Sequence, residues 1–245
     1  MKICLAGTGG LKNNQEALQD VPYILESFYY IKDWQIPLIK KCDLFLLDSG
    51  AFTMFSKGKQ MTEKDWDDYL TQYIAFINKY DVKYFFELDI DRLVGIKKVE
   101  EYRKRIERET GKKCIPVWHK ERGWKYFEWM CKEYDYVAIG GIAKNPNGKQ
   151  IEKLFPYFID YAHKHKCKIH GLGYTSSIGF KKYKFDSVDS TTWINGGRYG
   201  NVAIFKDGII KQEHYADKRC YDVNKLTLHN LNEWKRFQRW AKINL

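Results

Sequence analysis

Short apolar runs, most of them ending in Gly, Asp, Ser or His, recur along this chain and constrain its fold more than any other feature. They are Lys2–Ala6, Leu44–Asp48, 84–89, 114–119, 136–140, 168–173 and Ser187–Ser190, with 201–205 as an eighth. Each is too short for a helix and too continuous for a half-exposed strand. They read as strands buried on both faces, as in a parallel sheet.

Helical patterns lie between the runs. Thr62 and Asp65 form a capping pair, followed by Trp66, Tyr69, Leu70, Tyr73, Ile74, Ile77 and Tyr80 at spacings of three and four. A second helix is expected over 97–110, stopped by Gly111, and a third over 124–132. A fourth covers 151–165, with Pro156 predicting a kink or late start. The segment 225–245 reads as one helix with Leu228, Leu231, Trp234, Phe237, Trp240 and Ala241 inward. Alternating strands and helices predict an α/β fold, and eight strand candidates predict a (β/α)8 barrel. No linker composition divides the 245 residues, so one domain is expected.

Composition narrows the function. Hydrophobic residues make up 44% and charged residues 30%, which excludes a disordered or collagen-like chain. No apolar run reaches the ~18 residues needed to span a bilayer. The N-terminus turns glycine-rich at Gly7, too soon for a secretory signal. The six cysteines show no C-x-x-C pair, which suits a reducing compartment. A soluble, cytoplasmic protein without a membrane partner is the expectation. Lys and Arg number 42 against 31 Asp and Glu, a net charge of +11 that favours a polyanionic partner, nucleic acid foremost.

In a barrel the chemistry sits at the C-terminal strand ends. Three of these ends offer carboxylates: Asp48 in Leu47-Asp48-Ser49-Gly50-Ala51-Phe52, Asp89 in Glu87-Leu88-Asp89, and Asp189 in Asp186-Ser187-Val188-Asp189-Ser190. A lone strand-end carboxylate commonly serves as a cap or turn former. Three at one mouth suit glycosidic chemistry, in which one attacks the anomeric carbon and another trades protons. Gly140-Gly141 and Gly171-Leu172-Gly173 would let a flat ligand approach the backbone. Trp118 and His119 end the fourth run, where Trp118 suits either base stacking or core packing.

Six motifs in chain order resemble those of the tRNA-guanine transglycosylase superfamily. They are Asp48-Ser49-Gly50-Ala51-Phe52, Leu88-Asp89-Ile90, Ala138-Ile139-Gly140-Gly141-Ile142-Ala143, Gly171-Leu172-Gly173, Asp186-Ser187-Val188-Asp189-Ser190 and Leu228-His229-Asn230-Leu231. The zinc-binding members pair a C-x-C-x-x-C motif with the histidine of the last segment. Here His229 has only Cys220 nearby upstream, so no metal or other cofactor is expected. The short chain and Asp189-Ser190-Thr191-Thr192-Trp193 look most like the DNA-modifying, phage and bacterial DpdA-type branch.

The resemblance implies a TIM barrel and exchange of guanine in DNA for a 7-deazaguanine such as preQ0. It implies Asp189 as nucleophile, with Asp186 its first substitute, and Asp48 as general acid/base. It implies base binding by Asp89, Ser49, Phe52, Gly140, Gly141 and Gly173, and the strand-end residues Trp118 and His119 are added candidates to frame the base. Arg198, Lys235, Arg236 and Arg239 are candidates for nucleic-acid backbone contact. The same reaction on tRNA, a non-catalytic nucleic-acid-binding paralogue and an ordinary glycosidase are the alternatives. The sequence leaves oligomeric state open.

Overall fold

The structure, a computed structural model, describes residues 1–51, 53, 61–141, 148–194, 200–214 and 222–245. Among these, seven strands form one parallel sheet: β1 (Lys2–Ala6), β2 (Tyr23–Ser27), β3 (Leu44–Asp48), β4 (Val117–Trp118), β5 (Tyr136–Ile139), β6 (Lys168–Gly171) and β7 (Ser187–Ser190). Their order is β3-β2-β1-β7-β6-β5-β4. The described helices are α1 (Ile36–Lys41), α2 (Glu63–Tyr80), α3 (Asp91–Val94), α4 (Ile96–Thr110), α5 (Gly123–Glu133), α6 (Gly148–Glu152), α7 (Phe155–Lys164), α8 (Ser177–Lys182) and α9 (Val223–Asn244).

The fold is therefore α/β with a curled parallel sheet, a half-barrel closed on its outer face by helices. Its regular ladders run through seven strands, not the eight expected. The stretch 84–87 reaches edge strand β3 and the segment just before β4 through isolated parallel bridges, Leu47 with Phe85 and Phe86 with Ile115. Two local causes keep that stretch from becoming a regular strand. The Val117 N–H donates to the Glu87 side chain at 2.8 Å rather than to a backbone carbonyl. The Tyr73 hydroxyl lies 3.2 Å from the Leu47 carbonyl and 2.9 Å from that of Phe86, at the seam. Pro116 has no N–H to donate, which shortens the expected 114–119 strand to Val117–Trp118.

Two further corrections concern strand identity. β2 lies in a stretch outside the expected strands, because Glu26 interrupts its apolar run. Glu26 is buried and accepts the N–H and hydroxyl of Thr8. The expected eighth strand instead forms an antiparallel hairpin, β8 (Asn201–Lys206) with β9 (Ile209–His214). Its turn is Asp207-Gly208, with φ of 53° and 72°, the left-handed pair that a two-residue hairpin favours.

The helices follow their sequence signals. Thr62 and Asp65 exchange capping bonds at the start of α2, and Gly111 ends α4 at φ 68°. Pro156 sits in the first turn of α7, the late start expected.

Strand alternation sorts the core into layers. Cys4, Ala6, Tyr23, Leu25, Leu44, Leu46, Phe86, Ile115, Val117, Tyr136 and Ala138 form one cluster inside the curl. The intervening residues, such as Ile3, Leu5, Val137, Ile139, Ile169 and Val188, pack outward against the helices. A separate outer cluster joins Leu47 and Phe85 to α2 and α4. Among the described residues no helix is long and apolar enough to cross a membrane.

Candidate functional site

Parallel strands place all their C-terminal ends at one edge, and the three expected carboxylates meet there. Asp48 ends β3, Asp89 follows the 84–87 stretch, and Asp189 lies in β7. Asp48 is part-buried and accepts the Gly50 N–H at 3.1 Å. Its pKa is pushed up to about 7, chiefly by burial and next by the charge of Asp89, with Asp189 adding to it. That shared repulsion is the electrostatic sign of three carboxylates at one mouth. A carboxyl that titrates near neutrality suits proton exchange in both directions.

Asp189 is only 8% exposed and is held on one oxygen. Its Oδ1 accepts the Gly173 N–H at 2.7 Å and lies 3.2 Å from His170 Nε2. Among the described residues its Oδ2 accepts no hydrogen bond. Gly173 has φ 66°, a conformation that favours glycine and aims its N–H across to β7.

Asp89 pairs with His119, whose Nε2 lies 2.5 Å from Asp89 Oδ1. Burial works against the charged imidazole, but the hydrogen bond and charge of Asp89 outweigh it and raise the His119 pKa. Gly140 makes room for this pair. A Cβ there would lie 2.4 Å from His119 Cε1, so the imidazole packs directly over the Gly140 backbone. The glycine thus accommodates His119, where the sequence suggested a flat ligand. Gly141 follows at φ 71°.

Arg122 fixes the Asp89 segment from both sides. It bonds Glu87 Oε1 at 2.7 Å through Nη1 and both Asp91 oxygens at 2.5 Å through Nε and Nη2. Arg103 holds the other Glu87 oxygen at 3.0 Å. Ser49 is buried, and its carbonyl accepts the Tyr69 hydroxyl at 2.5 Å.

Other expected residues lie elsewhere. Trp118 faces outward, 3% exposed, with its ring 4.5 Å from that of Phe158 and its N–H on the Gly123 carbonyl. It is a core residue, and base stacking falls away. Asp186 immediately precedes β7 at the opposite end of the sheet, where it accepts the Ile169 N–H at 2.8 Å. It is therefore no substitute for Asp189. Lys235 bonds the Ala17 carbonyl at 3.0 Å and pairs with Asp20, as does Arg239 at 2.7 Å. Arg236 pairs with Glu233 at 2.7 Å. Further along α9, Lys242 reaches Asp43, which precedes β3 at the end remote from Asp48. Phe52, Arg198 and Cys220 lie outside the described residues.

His229 and Asn230 act on the hairpin. His229 Nε2 lies 3.0 Å from the Ala203 carbonyl, while Asn230 accepts the Ala203 N–H at 2.8 Å and donates to the Asn201 carbonyl at 2.9 Å. The pair thus ties α9 to the edge of β8. Among the described residues no three His, Cys, Asp or Glu side chains group to hold a metal ion.

Sequence reasoning missed His170, Ser187, Tyr136 and Arg122. All four stand within the runs or beside the motifs, but their roles depend on which strand positions face inward. Tyr29 and Tyr30, exposed and edge-to-face at 4.9 Å, also border the mouth through Gly50, whose Cβ would meet Tyr29. No family model and no curated protein matches this chain.

Proposed function

We propose that the chain is a transglycosylase that exchanges guanine in DNA for a 7-deazaguanine base of the preQ0 type. In this reading the curled sheet, the 84–87 stretch and their bridges make up a compact (β/α)8 barrel. The observation that carries it is the pairing of two unlike carboxylates at one mouth. Asp189 is held on one oxygen by Gly173, and Asp48 is pushed up to about 7 partly by the Asp189 charge.

Asp189 attacks C1′ of the target nucleotide and expels guanine, which takes a proton from Asp48. The positive charge that develops on the sugar is stabilised by the surrounding carboxylates. The incoming base then gives a proton to Asp48 and displaces Asp189. Asp89 accepts from the N1–H and 2-amino edge shared by both bases, with His119 fixing its other oxygen. The target nucleotide leaves its stack to reach the mouth. The net charge of +11 supplies salt-sensitive backbone affinity.

The test is incubation with duplex DNA or bulk tRNA plus candidate 7-deaza bases, then digestion to nucleosides and mass spectrometry. A modified deoxynucleoside from DNA, absent with Asp189→Ala, supports the proposal. A modified ribonucleoside from tRNA alone moves the substrate to tRNA. Silence on both, with folded protein and all bases supplied, favours a non-catalytic nucleic-acid-binding role.

A further inference from the structure

We propose that His170 is a positioning residue for the Asp189 nucleophile, locked in one tautomer by a buried chain through Ser187 to Tyr136; this rests on the transglycosylase reading above. The four side chains sit on three adjacent strands, β5, β6 and β7, and all face the interior of the curl. His170 and Ser187 are fully buried. His170 Nδ1 lies 2.5 Å from Ser187 Oγ, and Ser187 Oγ is bonded to the Tyr136 hydroxyl.

The direction of the chain follows from counting hydrogens. Burial raises the Tyr136 pKa, so the phenol keeps its proton. Its hydrogen-bond partner is Ser187 Oγ, so the phenol donates there. The hydrogen of Ser187 then has one acceptor among the described residues, His170 Nδ1. An Nδ1 that accepts carries no proton, so the imidazole hydrogen sits on Nε2, toward Asp189 Oδ1 at 3.2 Å. In this arrangement the Tyr136, Ser187 and His170 hydrogens each have an acceptor within the chain.

The consequence is a nucleophile with two unlike oxygens. Oδ1 receives two donors, the Gly173 N–H and the His170 Nε2–H. Oδ2 is left for the sugar. As the Oδ2–C1′ bond forms, the C1′–N9 bond breaks and its electron pair leaves on guanine, which takes the Asp48 proton. Oδ1 becomes the ester carbonyl and keeps its donors. In the second half the incoming N9 bonds C1′ and gives its proton to Asp48, while Oδ2 departs with its electron pair. The same donors stabilise the returning carboxylate. His170 keeps its proton throughout.

Two measurements test this. The first is 15N–1H NMR of 15N-histidine-labelled protein, with the His170 signal assigned by its loss in His170→Phe. The proposal expects the Nε2–H tautomer at neutral pH and a shifted Nε2 proton in Asp189→Asn; a proton on Nδ1 overturns it. The second is base-exchange kinetics. His170→Phe should lower kcat about 10- to 100-fold, the loss expected from one charge-assisted hydrogen bond, with KM within about threefold. His170→Gln, which retains an N–H toward Asp189, should recover part of that loss. Ser187→Ala, which releases the tautomer without touching Asp189, should fall between them. A wild-type kcat in His170→Phe, or a loss confined to KM, overturns the proposal. Wild-type protein with the Nε2–H tautomer but no exchange on DNA or tRNA overturns the transglycosylase reading and supports the hydrogen-bond chain.

Discussion

Gly173 donates its backbone N–H to Asp189 Oδ1 at 2.7 Å, joining the end of β6 to the carboxylate of β7. The bond depends on a φ of 66° at Gly173. Gly173→Ala should cost about 1–2 kcal/mol in backbone strain, a Tm loss of roughly 2–8 °C, and should also misplace the N–H. Gly111→Ala is the matched control. Its φ is 68°, its Cβ would meet nothing within 4 Å, and it stands at the end of α4 away from the mouth. Melting curves should show similar losses in both variants, whereas base exchange should fall only in Gly173→Ala. Equal exchange in the two would separate Gly173 from the chemistry.

The raised pKa of Asp48 has a cost that can be measured. Its folded value of about 7 lies above its ordinary value of 3.8. Between these values the folded chain binds more protons than the unfolded one, so stability falls as pH rises. Above pH 7 the full penalty applies. Asp48→Asn removes it, so the variant should exceed wild type in stability at pH 8 by on the order of 1–3 kcal/mol, given a part-exposed side chain. The difference should vanish near pH 4. Glu26, also raised to about 7, acts equally in both proteins and cancels. Denaturant unfolding across pH 4–8 reads this directly, and a constant difference would mean that Asp48 is not the titrating group. The wild-type exchange rate should show an inflection near pH 7, and exchange should stop in the same variant, which has no carboxyl to carry the proton.

Periodicity made the helices and most strand positions legible, because an α/β fold buries whole runs. It failed where side chains replaced backbone bonds. Glu26 satisfies Thr8 from inside β2, so that strand does not read as apolar. Glu87 takes the Val117 N–H, so 84–87 reads as a strand but bonds as isolated bridges. The run 201–205 has strand composition, but Asp207-Gly208 turns it into a hairpin. Within the site, strand ends pointed to Asp48, Asp89 and Asp189. Inward or outward facing decided the rest. Trp118 and His119 are neighbours in sequence, yet one packs against Phe158 and the other against Asp89. His170 and Ser187 were hidden inside strands, where polar residues have meaning only through partners on adjacent strands.

The Asp89–His119 pair predicts a pH dependence of the same sign, as a stabilisation lost rather than a penalty gained. The folded His119 pKa is raised, so the pair's stabilisation is fully present below the unfolded value of 6.5 and is lost as pH rises through the folded value. His119→Phe should therefore be less stable than wild type at pH 5.5, by on the order of 1 kcal/mol beyond any packing change. The gap should narrow by pH 9. Paired thermal melts at the two pH values isolate the ion pair, since packing differences do not titrate. A gap that stays constant would show that His119 gains nothing from Asp89.

Arg122 offers the sharpest test of how the Asp89 segment is held. Its guanidinium joins Glu87 to Asp91, the residues two before and two after Asp89, and it follows His119 by three. One side chain thus fixes both partners of the Asp89–His119 pair. It is almost fully buried, so its removal leaves Glu87 with Arg103 as its one ion-pair partner among the described residues. Arg122→Met should destabilise the fold by about 3–5 kcal/mol. Arg122→Lys keeps the charge but cannot span both carboxylates with a planar fork, so it should recover only a minor part. In the lysine variant the His119 pKa should fall toward 6.5 as Asp89 drifts from it, which NMR titration of the imidazole would detect. An unshifted His119 in that variant would assign Arg122 to core stability alone and leave the Asp89 geometry to the strand itself.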